Sequence, residues 1–356
     1  MGKKTVAVIF GGANSEHEVS IKSANTIMNN LDEDKYLVLP VFITRDGRWF
    51  LYDGPKGNLN CNNWEKYATP TILSPDTSHK GLLRMVGDKF RVIEVDVIFP
   101  VLHGKNGEDG TIQGLFELGG IPYVGSGVLG SSVSMCKAFA NMVAEKMGIA
   151  QPDFLTVTKS QLNEDADAVA AVIRKKIGYP CFVKPSNTGS SVGISKAKNK
   201  KDLMQALELA STYDTLIVVE KAAIGRELEC AVLGNDNPAA SCVGEITYER
   251  DFYCYEAKYM CDGSRPIIPA DIPHSAVEEI QDVSLRIFKG LGCKGLARVD
   301  FFLTDDGKVL FNEINTMPGF TSISMYPMLW HSDGKTTADI VDELIELALE
   351  GRDDTE

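Results

Sequence analysis

Two apolar segments near the C-terminal end of the chain carry charged and amide side chains inside strand-like runs. One residue separates Arg298 from Asp300, and after a turn one residue likewise separates Glu313 from Asn315. Because side chains alternate along a strand, each pair shares one face of its strand. Their apolar neighbours are Phe301, Phe302, Leu310 and Phe311. If the two strands pair, four polar groups meet at one place in a buried sheet.

This cluster has two interpretations. Carboxylate and amide oxygens are the ligands that Mg²⁺ prefers, with phosphate oxygens usually completing the shell. The alternative is an ion pair between Arg298 and Asp300 on a solvated sheet face. Unpaired buried acids are costly, and the apolar neighbours indicate a buried sheet, so the pattern favours a metal site.

A loop of small residues follows a strand-like segment in the middle of the chain. Lys184 ends the segment, and Pro185–Gly193 (PSNTGSSVG) follows it. Backbone N–H groups in such loops approach phosphate closely, and a lysine adds a point charge. The loop is not a Walker sequence, and an ordinary hairpin turn remains an alternative. Together with Lys137 and Lys221, which also lie near the ends of elements, Lys184 can neutralise a triphosphate.

The first strand, Thr5–Phe10, leads through two glycines into a helix start that carries Glu16 and Glu18. The helix dipole stabilises acids in a first turn, so N-terminal capping is one explanation. The loop also lies where α/β folds bind ligands, at the carboxyl edge of a parallel sheet. An acid there is placed to hold a substrate ammonium group.

Two other motifs fit functional patterns that their context does not support. Gly125–Gly130 matches the GxGxxG pattern of dinucleotide-binding loops, with Glu145 at the expected distance. That acid should end a second strand, whereas Glu145 lies in the helical stretch Ala138–Met147, so we interpret the glycines as a domain-joining turn. His103 has no partner histidine nearby, which favours a substrate-facing or structural role.

Length and charge limit the class of protein. With 356 residues the chain should divide into two or three units with clefts between them. Its 49 acidic and 36 basic residues give a net charge of −13, which repels nucleic acid and anionic membranes. The eight cysteines show no CxxC pair or zinc-ligand spacing, which indicates a reducing compartment. With no signal-peptide or membrane-spanning run, we expect a cytoplasmic protein.

The periodicity of apolar residues predicts an α/β unit followed by α+β units with an antiparallel sheet. The first unit has strands Thr5–Phe10, Leu37–Thr44, Val95–Leu102 and Ile121–Val124 and the helix Glu18–Leu31. Residues 53 to 92 are polar, turn-rich and weakly periodic. The later strands are Phe154–Thr158, Cys181–Lys184, Val192–Ala197, Thr215–Lys221, Glu227–Leu233, Leu296–Leu303 and Val309–Ile314. The later helices are Ala166–Ile177, Lys201–Ala210, Ala276–Leu291 and Thr336–Leu349, with a long loop before Asp333.

Several long segments, in order and from end to end, resemble the D-alanine:D-alanine ligases of the ATP-grasp superfamily. They are GGANSEHEVS, VLHGKNGEDGTIQGLFELGGIPYVGSGVLGSS, FVKPSNTGSSVGISK, VVEK, DFYCYEAKY, GLARVDFF and NEINTMPGFTSISMYP. The resemblance implies a three-domain ATP-grasp architecture. Residues 1–134 would form an N-terminal α/β substrate domain with a parallel sheet, 135–234 the central ATP-grasp domain, and 235–356 the C-terminal ATP-grasp domain with the catalytic and metal site.

The resemblance also implies a reaction and its residues. ATP phosphorylates one D-alanine, and the amine of a second attacks the D-alanyl phosphate to give the peptidoglycan precursor D-alanyl-D-alanine. Positions that match the family's catalytic residues are Glu16, Ser190, Tyr259, Arg298 and Gly319. Those that match substrate-binding residues are His103, Ser324 and Met325. Those that match ATP-binding residues are Lys137, Lys184, Glu220, Lys221, Glu227 and Lys258. Asp300, Glu313 and Asn315 match the ligands of two Mg²⁺ ions, which Mn²⁺ can replace.

Within that set the family pattern gives each side chain a role. Glu16 would hold the first ammonium group and link to Ser190 and Tyr259, which latch a mobile loop. Arg298 and the Gly319 N–H would stabilise the oxyanion. Lys137 and Lys184 would contact the α and β phosphates, and Lys258 would contact the γ phosphate. The adenosine would be contacted by Glu220, Lys221 and Glu227. Ser324 and Met325 would bind the carboxylate of the second D-alanine.

Relatives that join D-alanine to D-lactate or D-serine are the nearest alternative. They differ in the loop that here reads Tyr255–Tyr259 (YEAKY), which favours D-alanine. A non-catalytic nucleotide-binding protein would have lost lysines or metal ligands, and none is lost. Cys136 and Thr188 depart from residues common in the family, at positions that touch no substrate. The family is usually dimeric, so the resemblance implies a homodimer.

Overall fold

The N-terminal body is one seven-stranded sheet in the order β6-β5-β4-β3-β2-β1-β7, in a computed structural model that describes residues 2–55, 64–248 and 264–350. Its strands are β1 (Lys4–Gly11), β2 (Tyr36–Ile43), β3 (Trp49–Tyr52), β4 (Ala68–Leu73), β5 (Gly81–Val86), β6 (Lys89–Glu94) and β7 (Val97–Val101). β1 is parallel to both its neighbours, β2 and β7, whereas β3 to β6 continue the sheet antiparallel. The predicted parallel sheet is confirmed for β2, β1 and β7, which form one end of this sheet.

The antiparallel extension lies where the sequence is weakly periodic. β6 is exposed along almost its whole length, so it has no buried face to impose an alternating pattern. The strand expected at Ile121–Val124 is reduced to a single bridge between Tyr123 and Ile98. Three helices belong to this body: α1 (His17–Asn30), α2 (Thr111–Gly119) and α3 (Val128–Met135).

The middle body is a four-stranded sheet in the order β10-β9-β11-β8 with antiparallel pairs throughout, as predicted. Its strands are β8 (Phe154–Thr158), β9 (Cys181–Pro185), β10 (Ser195–Ala197) and β11 (Leu216–Lys221). The helices α4 (Lys137–Lys146), α5 (Lys159–Lys176) and α6 (Lys200–Tyr213) accompany it. Thr158 and Gln161 form a capping box that fixes the start of α5, several residues before the predicted helix.

The C-terminal body is a five-stranded antiparallel sheet in the order β14-β13-β12-β15-β16. Its strands are β12 (Gly225–Gly234), β13 (Ala239–Tyr248), β14 (Ser264–Ile267), β15 (Gly295–Thr304) and β16 (Val309–Asn315), and its helices are α7 (His274–Gly290), α8 (Met325–Ser332) and α9 (Thr337–Leu349). The expected long loop before Asp333 therefore contains the short helix α8. α9 buries Ile340 and Leu344, as its apolar stripe predicts.

The first and third bodies share one hydrophobic core. Val6 and Phe10 of β1 belong to the same buried cluster as Phe320, Trp330 and residues of α9. At the edge of this junction a side chain at Gly130 would lie 2.6 Å from the Gly292 carbonyl oxygen. The GxGxxG motif therefore serves a close crossing of two backbones, in agreement with a domain-joining turn. No helix within the described ranges is long and apolar enough to cross a membrane.

Candidate active site

The predicted pairing of the two polar strand segments is confirmed. In the β15–β16 ladder Arg298 lies opposite Asn315 and Asp300 opposite Glu313. The register then shifts by one residue, so that Phe301 faces Phe311 and Asn312 is extra. Phe311 and Ile314 on either side are both buried in the core. This β-bulge therefore turns two successive side chains, Asn312 and Glu313, toward the same cleft.

Arg298 is held in a carboxylate fork. Its Nε and Nη2 donate to the two carboxylate oxygens of Asp300, each at 2.8 Å. Glu229 of β12, opposite Asp300 in the register, lies 2.9 Å from Nε. Although burial alone would lower the pKa of Arg298, Asp300 and Glu229 together raise it well above its ordinary value. The guanidinium is therefore a fixed positive charge aimed into the cleft.

Asp300, Glu313 and Asn315 form the expected group of oxygen ligands on adjacent strands. The Asn315 amide lies 3.2 Å from an Asp300 oxygen. No cluster of three His, Cys, Asp or Glu side chains arranged for a metal occurs among the described residues. Two carboxylates and an amide suit Mg²⁺, which takes its remaining ligands from phosphate and water. The donor set thus fits an ion that arrives with a phosphate ligand.

Two buried lysines balance the acids of the cleft. Lys184 at the end of β9 pairs with Glu220 at 2.6 Å and donates to the Asn312 side-chain oxygen at 3.3 Å. Burial alone would lower the pKa of Lys184, but Glu220 raises it above its ordinary value. Lys137, the first residue of α4, pairs with Glu313 at 3.2 Å and donates to the Thr188 carbonyl at 2.8 Å. Lys184 is therefore charged where it faces the cleft, and Lys137 lies beside it in its own ion pair.

The remaining residues predicted to contact the nucleotide differ in their burial. Glu220 is buried and accepts a hydrogen bond of 2.9 Å from the Asn141 side chain, and Glu227 lines the cavity beside β9 and β12. Lys221 is exposed at the end of β11. Lys258 and Tyr259 lie outside the described residues.

Glu16 does not cap the helix that it precedes. It occupies the N-cap position of α1 without a side-chain capping bond, and its buried carboxylate instead accepts the Ser190 hydroxyl of the small-residue loop. The simple capping explanation is therefore wrong for Glu16. Glu18 is exposed and pairs with Arg45 at 2.7 Å, away from the cleft.

Asn14 joins the loop of Glu16 to the loop of His103. Its side-chain nitrogen donates to the carbonyls of His103 and Lys105, each at 2.9 Å. Its side-chain oxygen accepts the Glu16 N–H at 2.9 Å. A side chain at Gly104 would collide with the Glu16 carboxylate, so this position requires glycine. The two loops are thus fixed against each other at the edge of the sheet.

His103 and Glu108 contact the segment that follows β16. His103 Nδ1 lies 2.9 Å from the Met317 carbonyl oxygen. Burial lowers the pKa of His103 below its ordinary value, although the nearby Glu16 opposes the shift. The Glu108 carboxylate accepts the N–H groups of Gly104 at 2.7 Å and Met317 at 3.1 Å. Burial and Glu16 nevertheless raise the pKa of Glu108 to about 8.

Ser324 stands at the N-cap of α8 but does not cap it. Its hydroxyl oxygen instead accepts the Thr321 N–H at 3.0 Å. The first N–H groups of a helix have no partners inside the helix, and the helix dipole is positive there. The start of α8 at Met325 therefore offers a place for a carboxylate, and it lines the same cavity as Arg298.

Two adjoining cavities bring most of the predicted residues together. The first is lined by residues of all three bodies, among them Glu16, His103, Lys137, Arg298, Gly319 and Ser324. The second lies between β9 and the β12–β15–β16 face and includes Lys184, Glu227 and Asp300. Glu229, Asn312 and Glu313 line both. A small substrate in the first cavity would thus meet one end of a longer ligand in the second.

Two protein-family models match most of this chain. The model described as D-ala D-ala ligase N-terminus matches residues 5–126, and the model described as D-ala D-ala ligase C-terminus matches 143–346. The chain belongs to the D-alanine–D-alanine ligase family. The family expected from the sequence motifs, and with it the fold class, is confirmed.

Named relatives of the ligase family cover nearly the whole chain. The D-alanine–D-alanine ligase of Caldicellulosiruptor bescii is 51% identical over 98% of this chain and 96% of its own length. That of Acetivibrio thermocellus is 49% identical over 99% and 97%. Among solved structures, the VanG D-Ala:D-Ser ligase from Enterococcus faecalis has a TM-score of 0.89 at 41% identity, covering 98% of this chain and all of that one. The D-alanine–D-alanine ligase from Coxiella burnetii has a TM-score of 0.84 at 37% identity, covering 98% and 96%.

Sequence reasoning missed several side chains of this ligase site. Glu229 alternates with Glu227 along β12, a signal that the strand pattern contained. Glu108 and Asn14 act through backbone groups of distant loops, which no local pattern shows. Asn312 reaches the cleft only because of the bulge in β16.

Proposed function

We propose that this chain ligates two D-alanines in an ATP-dependent reaction through a D-alanyl phosphate. The observation that carries the proposal is the adjacency of the two cavities. The first holds an acid, an arginine, Lys137 and a helix N-terminus, the second holds the buried Lys184, and the two meet at Glu313. An amino-acid carboxylate in the first cavity can therefore approach the terminal phosphate of a nucleotide in the second.

The first step is phosphoryl transfer, which depends mainly on positioning and charge neutralisation. Lys137 and Lys184 would pair with phosphate oxygens in place of their present partners, Glu313 and Glu220. Glu220, Lys221 and Glu227 would contact the adenosine. Two Mg²⁺ ions held by Asp300, Glu313 and Asn315, which Mn²⁺ can replace, would neutralise phosphate charge. The lysines and these acids then exchange partners as the nucleotide binds.

The second step is attack of an amine on the acyl carbon, which forms a tetrahedral oxyanion. Arg298, which Asp300 and Glu229 hold in place, would stabilise this charge together with the Gly319 N–H. The carboxylate of the second D-alanine would bind at Ser324 and the start of α8. Glu16 would hold the ammonium group of the first, near His103.

Exclusion of water protects an acyl phosphate from hydrolysis. The hydrogen bond between Ser190 and Glu16 holds the small-residue loop against the N-terminal body. Tyr259 would join this latch and Lys258 would reach the γ phosphate. We further propose a cytoplasmic homodimer that supplies peptidoglycan precursor.

The acceptor is tested by product analysis. With ATP, Mg²⁺ and D-alanine alone, the protein should release phosphate and form D-alanyl-D-alanine, identified by mass spectrometry. A D-alanine:D-serine ligase is the second candidate, supported by the similarity to the VanG structure. Equal amounts of D-alanine and D-serine separate the two: a product dominated by D-alanyl-D-serine would replace the first proposal with the second.

A further inference from the structure

Ser23 is a fully buried hydroxyl in α1 that contacts two parts of the site at once. Its oxygen accepts the Phe320 N–H at 3.1 Å and lies 3.3 Å from His103 Nε2. His103 Nδ1 in turn lies 2.9 Å from the Met317 carbonyl oxygen. The Phe320 N–H, the Ser23 hydroxyl, the His103 ring and the Met317 carbonyl thus form a hydrogen-bonded circuit, which starts and ends on the segment 317–320.

The chemistry of the partners fixes the protons in this circuit. A carbonyl oxygen only accepts, so His103 Nδ1 must carry a proton. The Ser23 oxygen already receives the Phe320 N–H, so its own proton is available for His103 Nε2. A neutral imidazole with Nδ1–H accepts that proton, whereas an imidazolium would require the Ser23 oxygen to accept two N–H groups and to turn its own proton elsewhere in a fully buried site. The low pKa that burial gives His103 agrees with the neutral form.

Gly319 lies between the two anchored groups. The carbonyl of Met317 is held by His103, and the N–H of Phe320 is held by Ser23. Glu108 accepts the Met317 N–H at 3.1 Å on the other side. The backbone that carries the Gly319 N–H is therefore fixed from outside its own body, by residues of the N-terminal sheet and α1.

We propose that Ser23 is a positioning residue: it donates to Nε2 of the neutral His103 ring, whose Nδ1–H is fixed by the Met317 carbonyl, and with that ring it sets the position of the Gly319 N–H. The kinetic consequence rests on the oxyanion role proposed above for Gly319. The tautomer itself does not, because it follows from the contacts of the free protein alone.

Nitrogen-15 NMR of the full chain at pH 7 tests the tautomer. The chain has five histidines, and the signal lost in His103→Gln assigns His103. We expect a protonated Nδ1 and an unprotonated Nε2. In Ser23→Ala, Nε2 loses its donor while Nδ1 still faces the Met317 carbonyl, so the Nε2 resonance should shift toward that of an unbonded ring nitrogen and Nδ1 should keep its proton. An Nε2–H tautomer or an imidazolium in the unaltered protein would overturn the proposal.

Kinetics of the same variants test the positioning. Removal of a whole oxyanion donor costs about 10²–10³ in rate, so displacement of one in Ser23→Ala should lower kcat about tenfold or more. KM for ATP should stay within about twofold, because the nucleotide cavity lies elsewhere. Ser23→Thr keeps the hydroxyl and should restore the Nε2 resonance and most of kcat. Thr26→Ala removes a hydroxyl one turn along α1 that bonds only within the helix, and is the matched control.

The outcomes separate the two proposals. Near-normal kcat and an unshifted Nε2 resonance in Ser23→Ala would show that Ser23 only packs. If Ser23→Ala does not fold, the tautomer in the unaltered protein still decides. A correct tautomer in a protein without ligase activity would retain the circuit and remove the proposed function.

Discussion

Replacement of Arg298 by lysine tests whether the guanidinium fork, and not only its charge, is needed. Arg298 makes two parallel hydrogen bonds of 2.8 Å to Asp300 and an ion pair of 2.9 Å to Glu229. A lysine keeps one positive charge but presents it as a point on a flexible stem, and it cannot satisfy a carboxylate through two oxygens at once. The lysine ammonium group would therefore stay beside Asp300 and Glu229 and would not be held toward the developing oxyanion.

The expected losses in kcat and in stability follow from the hydrogen bonds that Arg298→Lys removes. Loss of one oxyanion donor costs about 10²–10³ in kcat, which is about 2.7–4 kcal/mol. Loss of one hydrogen bond between charged groups costs about 1.5–3 kcal/mol of folding free energy. The second effect is tolerable for a domain of ordinary stability, so Arg298→Lys should fold and turn over slowly.

Arg226→Lys is a matched control. Arg226 makes the same fork, to Glu245 at 2.7 and 2.6 Å, on the strand next to β15. The melting temperature should fall comparably in this variant, because Glu245 is buried like the acids around Arg298. The kcat for phosphate release at saturating ATP should stay within about threefold, because no role with the reacting groups is proposed for Arg226. A loss in kcat below tenfold for Arg298→Lys, or an equal loss in both variants, would remove Arg298 from the catalytic set.

Three further predictions follow from other contacts. Glu313→Gln should abolish turnover with an unchanged melting temperature, because a carboxylate shared between metal and phosphate is lost; near-normal turnover in a phosphate-release assay would remove the metal assignment. With D-alanine and excess D-lactate from pH 6 to 8, mass spectrometry should find mainly the amide dipeptide, because Asp251–Ile268 contains no histidine to bind D-lactate; dominant depsipeptide at pH 6 would contradict this. Burial raises the pKa of Asp342, but hydrogen bonds from Lys35 and Tyr36 lower it by more, so the net pKa is below its ordinary value. The charged carboxylate therefore stabilises the fold at pH values above the pKa of the unfolded chain. This stabilisation is lost as the pH falls through the lowered pKa of the folded protein. Asp342→Asn should therefore cost no more than about 1 kcal/mol at pH 7 and nothing in strong acid, measured by urea unfolding at both pH values.

Elements with one buried face were predictable from the sequence, and elements without one were not. β15 and β16 alternate apolar and polar residues because their two faces meet core and cleft, so their pairing was foreseen. β6 is exposed along most of its length and carries no such alternation. α8 has only eight residues and contains Pro327, so its helical period is too short to detect.

The site has a different limit. Strand patterns and the family resemblance predicted its charged residues, and the resemblance also predicted the link between Glu16 and Ser190, which the structure contains. The other contacts between loops were not foreseen: His103, for example, meets Met317 across 214 residues of chain. A local pattern cannot encode a contact of this length, because it exists only after the bodies have docked. Ser23 and Asn14 were missed for that reason: each is an ordinary helix or turn residue until its distant partner arrives.

The same contacts that assemble the site also join the bodies. Arg298, Asp300 and Glu313 lie on one sheet, and Arg298 forms its fork there without help from elsewhere. Glu16 and His103, in contrast, reach the cleft only through contacts with the middle and C-terminal bodies. The N-terminal body therefore supplies the acid proposed for the ammonium group and the support of Gly319, whereas the cluster proposed for metal and oxyanion lies on the C-terminal sheet. The roles proposed for substrate binding and for chemistry thus lie on different bodies, and the hydrogen bonds of Ser190 and Ser23 join them.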